Sequence, residues 1–365
     1  MKIVIDARFY GLEHAGLGRY TINLIDQLIK LDQINSYCLL INNSNQLSDK
    51  LPPNFQTLKI NMPHYSFAEQ IKLPGILKQL KPDIVHFPHY NVPILYRGKF
   101  IVTIFDLIKH KYPYTSNTNS NYFISRGKNM AYRLDMWWAV NRSCQIITAA
   151  NAVKSDLIQN YHVNESKINV IPLGVDERIV ALEVDLEQKF GVTFPYIIYV
   201  GNGYLYKNVQ QIVKALKFID PTMHLVLIGS RNVFQSSLQE LISGDTLQDR
   251  VHILGYVDDA TLGALYRSAF AFVSASKKEG FGIPPLEAMK MQCPVVLSSI
   301  PVHQEICGEA ALYFKVDDSN DLAEKIKKLN NTSIRDELIK KGYNYVNKYS
   351  WQQMAQRTIE LYQQS

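Results

Sequence analysis

The chain has 365 residues, of which 47% are hydrophobic and 20% charged, with a net charge of +6. That length suits two ordinary domains, and the balance is that of a globular protein rather than a disordered or fibrous one. Between Arg97 and Arg142 lie eight basic and two acidic residues, an excess equal to that of the whole chain. Trp137, Trp138 and several tyrosines share the stretch, so it reads either as a surface for phosphates or an anionic membrane face, or as a solvated helix with packed tryptophans. It holds no nucleic-acid-binding module, so nucleic acid is not an expected partner. Cys38, Cys144, Cys293 and Cys307 lie far apart without metal-site spacing and read as reduced core residues.

In chain order, short β-branched runs alternate with longer helical periods, the pattern of an α/β protein with parallel sheets. "MKIVIDARFY" enters a strand at once, with no signal-peptide core and no apolar run near 18 residues, which gives the expectation of a cytoplasmic protein. Strands are predicted at Lys2–Asp6, Tyr37–Ile41, Ile84–Phe87, Phe100–Phe105, Ile146–Thr148 and Ile168–Ile171. Between the first two, Ile22, Ile25, Leu28 and Ile29 mark one face of an amphipathic helix. "TSNTNSN" at 115–121 reads as a mobile polar loop. A second series follows at Tyr196–Val200, His224–Ile228, Val251–Leu254, Ala271–Val273, Val295–Leu297 and Leu312–Phe314. Two sets of about six strands predict two Rossmann-like domains. The expected organisation is 1–178, 179–347 and a closing helix, 348–365, with Met354, Ile359 and Leu361 as its apolar contacts.

The densest chemistry lies in "SKKEGFGIPPLEAMKMQCPVVLSS", residues 276–299. Gly280 and Gly282 let main-chain N–H groups approach a ligand, and Pro284-Pro285 open a helix whose N-terminus favours an anion. Glu279 and Glu287 would repel a phosphate, but a carboxylate accepts hydrogen bonds from vicinal hydroxyls. The combination points to a ligand with both pyrophosphate and sugar. A loop charge at Glu279 and a first-turn residue at Glu287 form the bland alternative. Lys207 in "YVGNGYLYKNVQQIVKAL" follows a strand and a Gly-rich turn and supplies a cation. In the first domain, Gly16 and Gly18 are expected to precede a helix with Arg19 in its first turn, a weaker phosphate signal.

These residues resemble the family-4 retaining glycosyltransferases, whose fold, GT-B, sets two Rossmann-like domains with parallel sheets facing across a cleft. Glu279 and Glu287 in "EGFGIPPLEAM" match that family's E-x7-E motif. "AGLGRYTINL", "HFPHYNVP", "VIPLGVD", "YVGNGYLYKN", "LGYVDDATLGALYRSA" and "IPVHQEICGEAALYF" follow the family's order over nearly the whole chain. "YSWQQMAQRTIELY" is similar to its C-terminal helix, which returns to the first domain.

The resemblance implies a nucleotide-sugar donor in the second domain and an acceptor in the first. Glu279 would take hydroxyls of the transferred sugar and Glu287 those of the ribose. Gly280, Phe281 and Gly282 would offer main chain, Lys207 with Gly16 and Gly18 would hold the diphosphate, and Arg19, Asn202 and Ile283 belong to the same donor-binding set. Gly255, Tyr256 and Val257 would meet the base. With Glu279, Asp106 is the catalytic candidate, although Phe105 replaces the family's usual His before it. Tyr206 and Ala150 are further departures. His86, His89 and Tyr90 read either as acceptor-side residues or as packed ones; His303 and Glu305 invite the same two readings.

No cofactor or metal is expected. The implied chemistry is metal-independent, front-face hexosyl transfer, mannose from GDP-mannose favoured, to a glycan or lipid-linked acceptor. That places the protein in the cytoplasm, at the inner membrane face if the acceptor is a lipid. A nucleotide-sugar epimerase of the same fold and a non-catalytic nucleotide-sugar binder are the alternatives.

Overall fold

The computed structural model describes residues 1–42, 47, 51–112, 122–180, 182–229, 238, 242 and 247–365. The polar stretch 115–121 lies outside them. The chain divides into two compact units, one of Met1–Gly174 with Ser350–Ser365, the other Val175–Tyr349. The expected boundaries at 178 and 347 differ from these by a few residues.

Among the described residues of the first unit, seven strands pair in the order β3-β2-β1-β4-β5-β6-β7. They are β1 Lys2–Asp6, β2 Ser36–Ile41, β3 Phe55–Lys59, β4 Ile84–Phe87, β5 Phe100–Thr103, β6 Gln145–Thr148 and β7 Ile168–Val170. Every pairing is parallel. Strands β4 and β5, "IVHF" and "FIVT", are buried at every position, the run expected where helices cover both faces of a parallel sheet. Strand β3 has no predicted counterpart, because in "FQTLK" only Phe55 is buried. It rides on the edge of the sheet through β2.

The helix Trp351–Gln364 packs on the helix Ala15–Leu31 within this unit. Ser350 caps it by accepting from the Gln353 N–H. Trp351, Met354, Leu361 and Tyr362 are buried on its inner face, whereas Ile359 is only half-buried.

Among the described residues of the second unit, six strands pair in parallel in the order β10-β9-β8-β11-β12-β13. They are β8 Tyr196–Val200, β9 His224–Ile228, β10 Val251–Gly255, β11 Ala271–Ser274, β12 Val295–Ser298 and β13 Leu312–Phe314. Ile197, Val213, Leu225, Val273, Val296 and Leu322 belong to its core cluster. Both units are Rossmann-like. In each, the order reverses beside the first strand, between β1 and β4 and between β8 and β11. At such a reversal the connections leave to opposite faces and open a crevice at the carboxyl ends of the strands.

Candidate active site

Two loops leave the switch point of the second unit. After β8, Gly201 and Asn202 lead to a single turn of 3-10 helix at Leu205–Lys207. After β11, Ser276 leads to Glu279. The Lys277 N–H donates to the Tyr206 carbonyl at 2.8 Å, which joins the loops. Lys207 Nζ donates to both Glu279 oxygens, at 2.7 and 2.9 Å, and Ser276 Oγ donates to Oε1 at 2.6 Å. Burial pushes the Glu279 pKa up, but the Lys207 charge, His303 and the hydrogen bonds from Lys207 and Ser276 outweigh it. The net direction is downward, so Glu279 is a carboxylate at neutral pH. The expectation had these two residues serving different parts of a ligand; here they pair with each other and their charges cancel.

Gly282, at φ +92°, ends the loop and begins the helix Ile283–Lys290, which has no side-chain cap. An L side chain at that φ is strained, which accounts for glycine there. Pro284 and Pro285 lack N–H groups, so the main-chain donors at this end are Gly280, Phe281, Gly282 and Ile283. None of the four donates to another main-chain group among the described residues. The Phe281 ring turns inward, edge-on to Tyr349. Glu287, one turn into the helix, is 3% exposed and accepts from Tyr266 Oη at 3.1 Å. At the end of β10, Gly255 accepts from the Gly229 N–H, Tyr256 is exposed and Val257 buried. The Asn202 carbonyl accepts from Tyr199 Oη at 2.7 Å. These candidates therefore lie on the elements that follow the carboxyl ends of strands in one sheet, with Glu287 inside the helix after β11.

The remaining candidates belong to the first unit. Gly16 and Gly18 do not precede the helix; it begins at Ala15, so they lie in its first turn and Arg19 comes after them. Gly16 has open space around its Cα, whereas a Cβ on Gly18 would stand 1.8 Å from the Gly11 carbonyl oxygen. Close passage of the chain accounts for Gly18 without a ligand. Asp106 accepts from the Ile108 N–H at 2.9 Å at the start of the helix Ile108–Lys111, and Phe105 stands edge-on to Tyr20.

His86 requires a correction. It is fully buried, with Nδ1 bonded to Tyr362 Oη at 2.6 Å and Nε2 to Thr103 Oγ1 at 2.8 Å. Burial holds its pKa down at about 3. A neutral ring with both nitrogens occupied ties β4 to β5 and to the C-terminal helix, and cannot line an acceptor site. His89 is half-buried and shares a 3.2 Å hydrogen bond with the exposed Tyr65. Tyr90 is buried and accepts from Lys109 Nζ at 2.9 Å.

Two further residues join the network around Glu279, one without a motif signal and one that the sequence offered only with two readings. Ser276 opens the quoted stretch without any spacing rule to mark it. His303 lies on the helix Pro301–Cys307, 1% exposed, close enough to Glu279 to influence its charge.

Residues 14–178 match the family described as Glycosyltransferase Family 4, and residues 185–345 match Glycosyl transferases group 1. The chain belongs to these glycosyltransferases. The O-antigen chain mannosyltransferase RfbU of Salmonella typhimurium is 29% identical to the enzyme over 80% of this chain and 76% of its own. The Escherichia coli O-antigen chain mannosyltransferase B is 26% identical over 99% of both. Among solved structures, sucrose-phosphate synthase from Thermosynechococcus elongatus superposes with a TM-score of 0.80 at 18% identity, covering 100% of this glycosyltransferase and 98% of that chain. Anabaena HepE, solved with UDP and glucose, gives 0.75 at 16% identity with full coverage of both. These likenesses carry the GT-B fold to the enzyme.

Proposed function

We propose that this glycosyltransferase moves a hexose, mannose in the first instance, from a nucleoside-diphosphate sugar to a glycan or lipid-linked acceptor. The Lys207–Glu279 pair carries the reading, beside the Gly280–Ile283 amides, which donate to no main-chain group among the described residues. On donor binding Lys207 leaves Glu279 for the diphosphate, which also takes these main-chain N–H groups. The freed Glu279 carboxylate accepts from sugar hydroxyls, and Glu287 from the ribose. Such fixed donors, aimed where leaving-group charge grows, supply the dominant electrostatic stabilisation.

Nothing in this group is placed as a covalent nucleophile. The reading is therefore front-face transfer with retention, in which the departing phosphate oxygen takes the acceptor hydroxyl's proton. Lys207 and backbone dipoles are assigned the charge that a metal ion would otherwise offset. Two relatives named as mannosyltransferases favour mannose, and with it GDP-mannose. Incubation with GDP-, UDP- and dTDP-sugars, with and without glycan acceptors, tests this reading. An epimerase would convert the sugar nucleotide with no acceptor present.

Peripheral membrane contact forms part of the same proposal. Met130, Leu134 and Trp137 are 73%, 53% and 51% exposed, and their i, i+4, i+7 spacing puts them on one stripe of the helix Tyr122–Arg142. The exposed Arg126 and Arg133 flank that stripe. An apolar stripe edged by arginines suits an anionic lipid surface. No helix among the described residues is long and apolar enough to cross a membrane, so the proposed contact is superficial.

A further inference from the structure

His303 is 1% exposed, yet among the described residues only one of its ring nitrogens is hydrogen-bonded. Nδ1 lies 2.9 Å from the Ser298 carbonyl oxygen and 3.2 Å from Ser298 Oγ. A carbonyl can only accept, so Nδ1 carries the proton, and Nε2 of the neutral ring is left as a bare acceptor. Burial lowers the pKa of the ring below its ordinary value, and the opposing pull of Glu279 does not reverse this, which keeps the neutral form. Among the described residues Nε2 has no hydrogen-bond partner. Nε2 is thus an acceptor without a protein partner on a ring that is otherwise packed away, and it is open to a ligand's hydroxyl.

Cδ2 of the ring, the carbon bonded to Nε2, lies 3.9 Å from where a Cβ on Gly282 would stand, so the unused edge faces the glycine that begins the helix Ile283–Lys290. The other edge is anchored to the floor of the site. Ser298 Oγ donates to the Ser276 carbonyl at 2.5 Å, and Ser276 Oγ donates to Glu279. The imidazole is thus held in register with the glutamate loop by the C-terminal end of β12, at ordinary van der Waals distance from where a Cβ on residue 282 would stand.

We infer that His303 is a donor-sugar contact whose Nε2 accepts a hydrogen bond from a hydroxyl of the transferred hexose beside Gly282. This rests on the donor-site reading of Lys207 and Glu279. It assigns the transferred sugar two acceptors of different kinds, a charged one from Glu279 and a neutral one from His303. The neutral acceptor discriminates by hydroxyl position without adding negative charge beside a diphosphate. No hydrogen bond to the nucleoside diphosphate itself is assigned to His303.

His303→Asn separates this role from a structural one, because the Asn amide can still donate to the Ser298 carbonyl but places nothing at the Nε2 position. His303→Gln can put an amide oxygen near that position. Calorimetry on the whole chain with GDP and with GDP-mannose, and with the UDP and dTDP pairs if these do not bind, reads both. The expected result is unchanged affinity for the nucleoside diphosphate in His303→Asn, about tenfold weaker binding of its sugar conjugate, and partial recovery in His303→Gln. Equal sugar-nucleotide affinity in wild type and His303→Asn, or equal losses for diphosphate and conjugate, would overturn the assignment. If the wild-type protein binds no nucleoside diphosphate at all, the donor-site reading fails first and takes this inference with it.

Discussion

Lys207→Met removes the cation that two hydrogen bonds fix to Glu279. The two side chains are 18% and 11% exposed, so the variant leaves a carboxylate out of water with Ser276 Oγ as its remaining side-chain donor in the network described above. Removing one partner of a buried pair costs about 3–5 kcal/mol, and the residual exposure here argues for the lower end, about 3 kcal/mol. For a unit the size of Val175–Tyr349 each kcal/mol moves the melting temperature by about 2–4 °C, so the expected drop is about 6–12 °C at pH 7. In the wild type the Glu279 pKa is depressed, so the pair's contribution is present above the unfolded carboxylate's value, about 4.3, and is lost as pH falls through the folded value. Without Lys207, the largest influence opposing burial is gone, and Glu279 is neutralised at a higher pH. The deficit of the variant is therefore largest at neutral pH and shrinks in acid. Adding Glu279→Gln to Lys207→Met removes the stranded charge and should restore most of the loss. Scanning calorimetry across pH checks all three statements. A Lys207→Met melt within about 1 °C of wild type at pH 7, or a double variant no more stable than the single, refutes the reasoning.

Gly282→Ala places an L side chain at φ +92°, with an expected cost of about 1–2 kcal/mol, readable as a lowered melting temperature. Tyr362→Phe strands His86 Nδ1 in the first unit; about 1–3 kcal/mol is lost, and amide exchange in Trp351–Gln364 should accelerate. Leu134→Glu with Trp137→Glu should abolish sedimentation with anionic liposomes while leaving stability within about 0.5 kcal/mol, because both positions are exposed. Unchanged sedimentation would remove the membrane contact from the account.

Much of the fold was legible because parallel strands covered on both faces are short apolar runs, and twelve of them announce themselves. The exception, β3, is an edge strand whose apolar content is largely one phenylalanine, so it has the composition of a loop. Residues of the glutamate loop were legible for another reason: glycines, prolines and carboxylates lie in one local stretch, and local spacing survives folding. What joins them was not. Lys207 and Glu279 are 72 residues apart, and only the β8–β11 adjacency brings their loops together. The chain alone offered His86 and His303 with the same two readings, and burial treated them differently. On β4 both ring nitrogens found partners in the protein, whereas on the helix after β12 one did not. Gly18 shows the converse: a motif-like glycine whose need is met by the Gly11 carbonyl pressing against it.

The central claim is that the Lys207–Glu279 pair opens to receive a sugar nucleotide at the end of β8 and β11. Calorimetric titration of wild type and Lys207→Met with GDP-mannose, repeated with UDP- and dTDP-sugars, tests it most directly. The account predicts saturable binding of one sugar nucleotide by the wild type and an affinity about 10–100-fold weaker in the variant, the worth of a charge-assisted contact to phosphate. Equal affinity in the two proteins would contradict it.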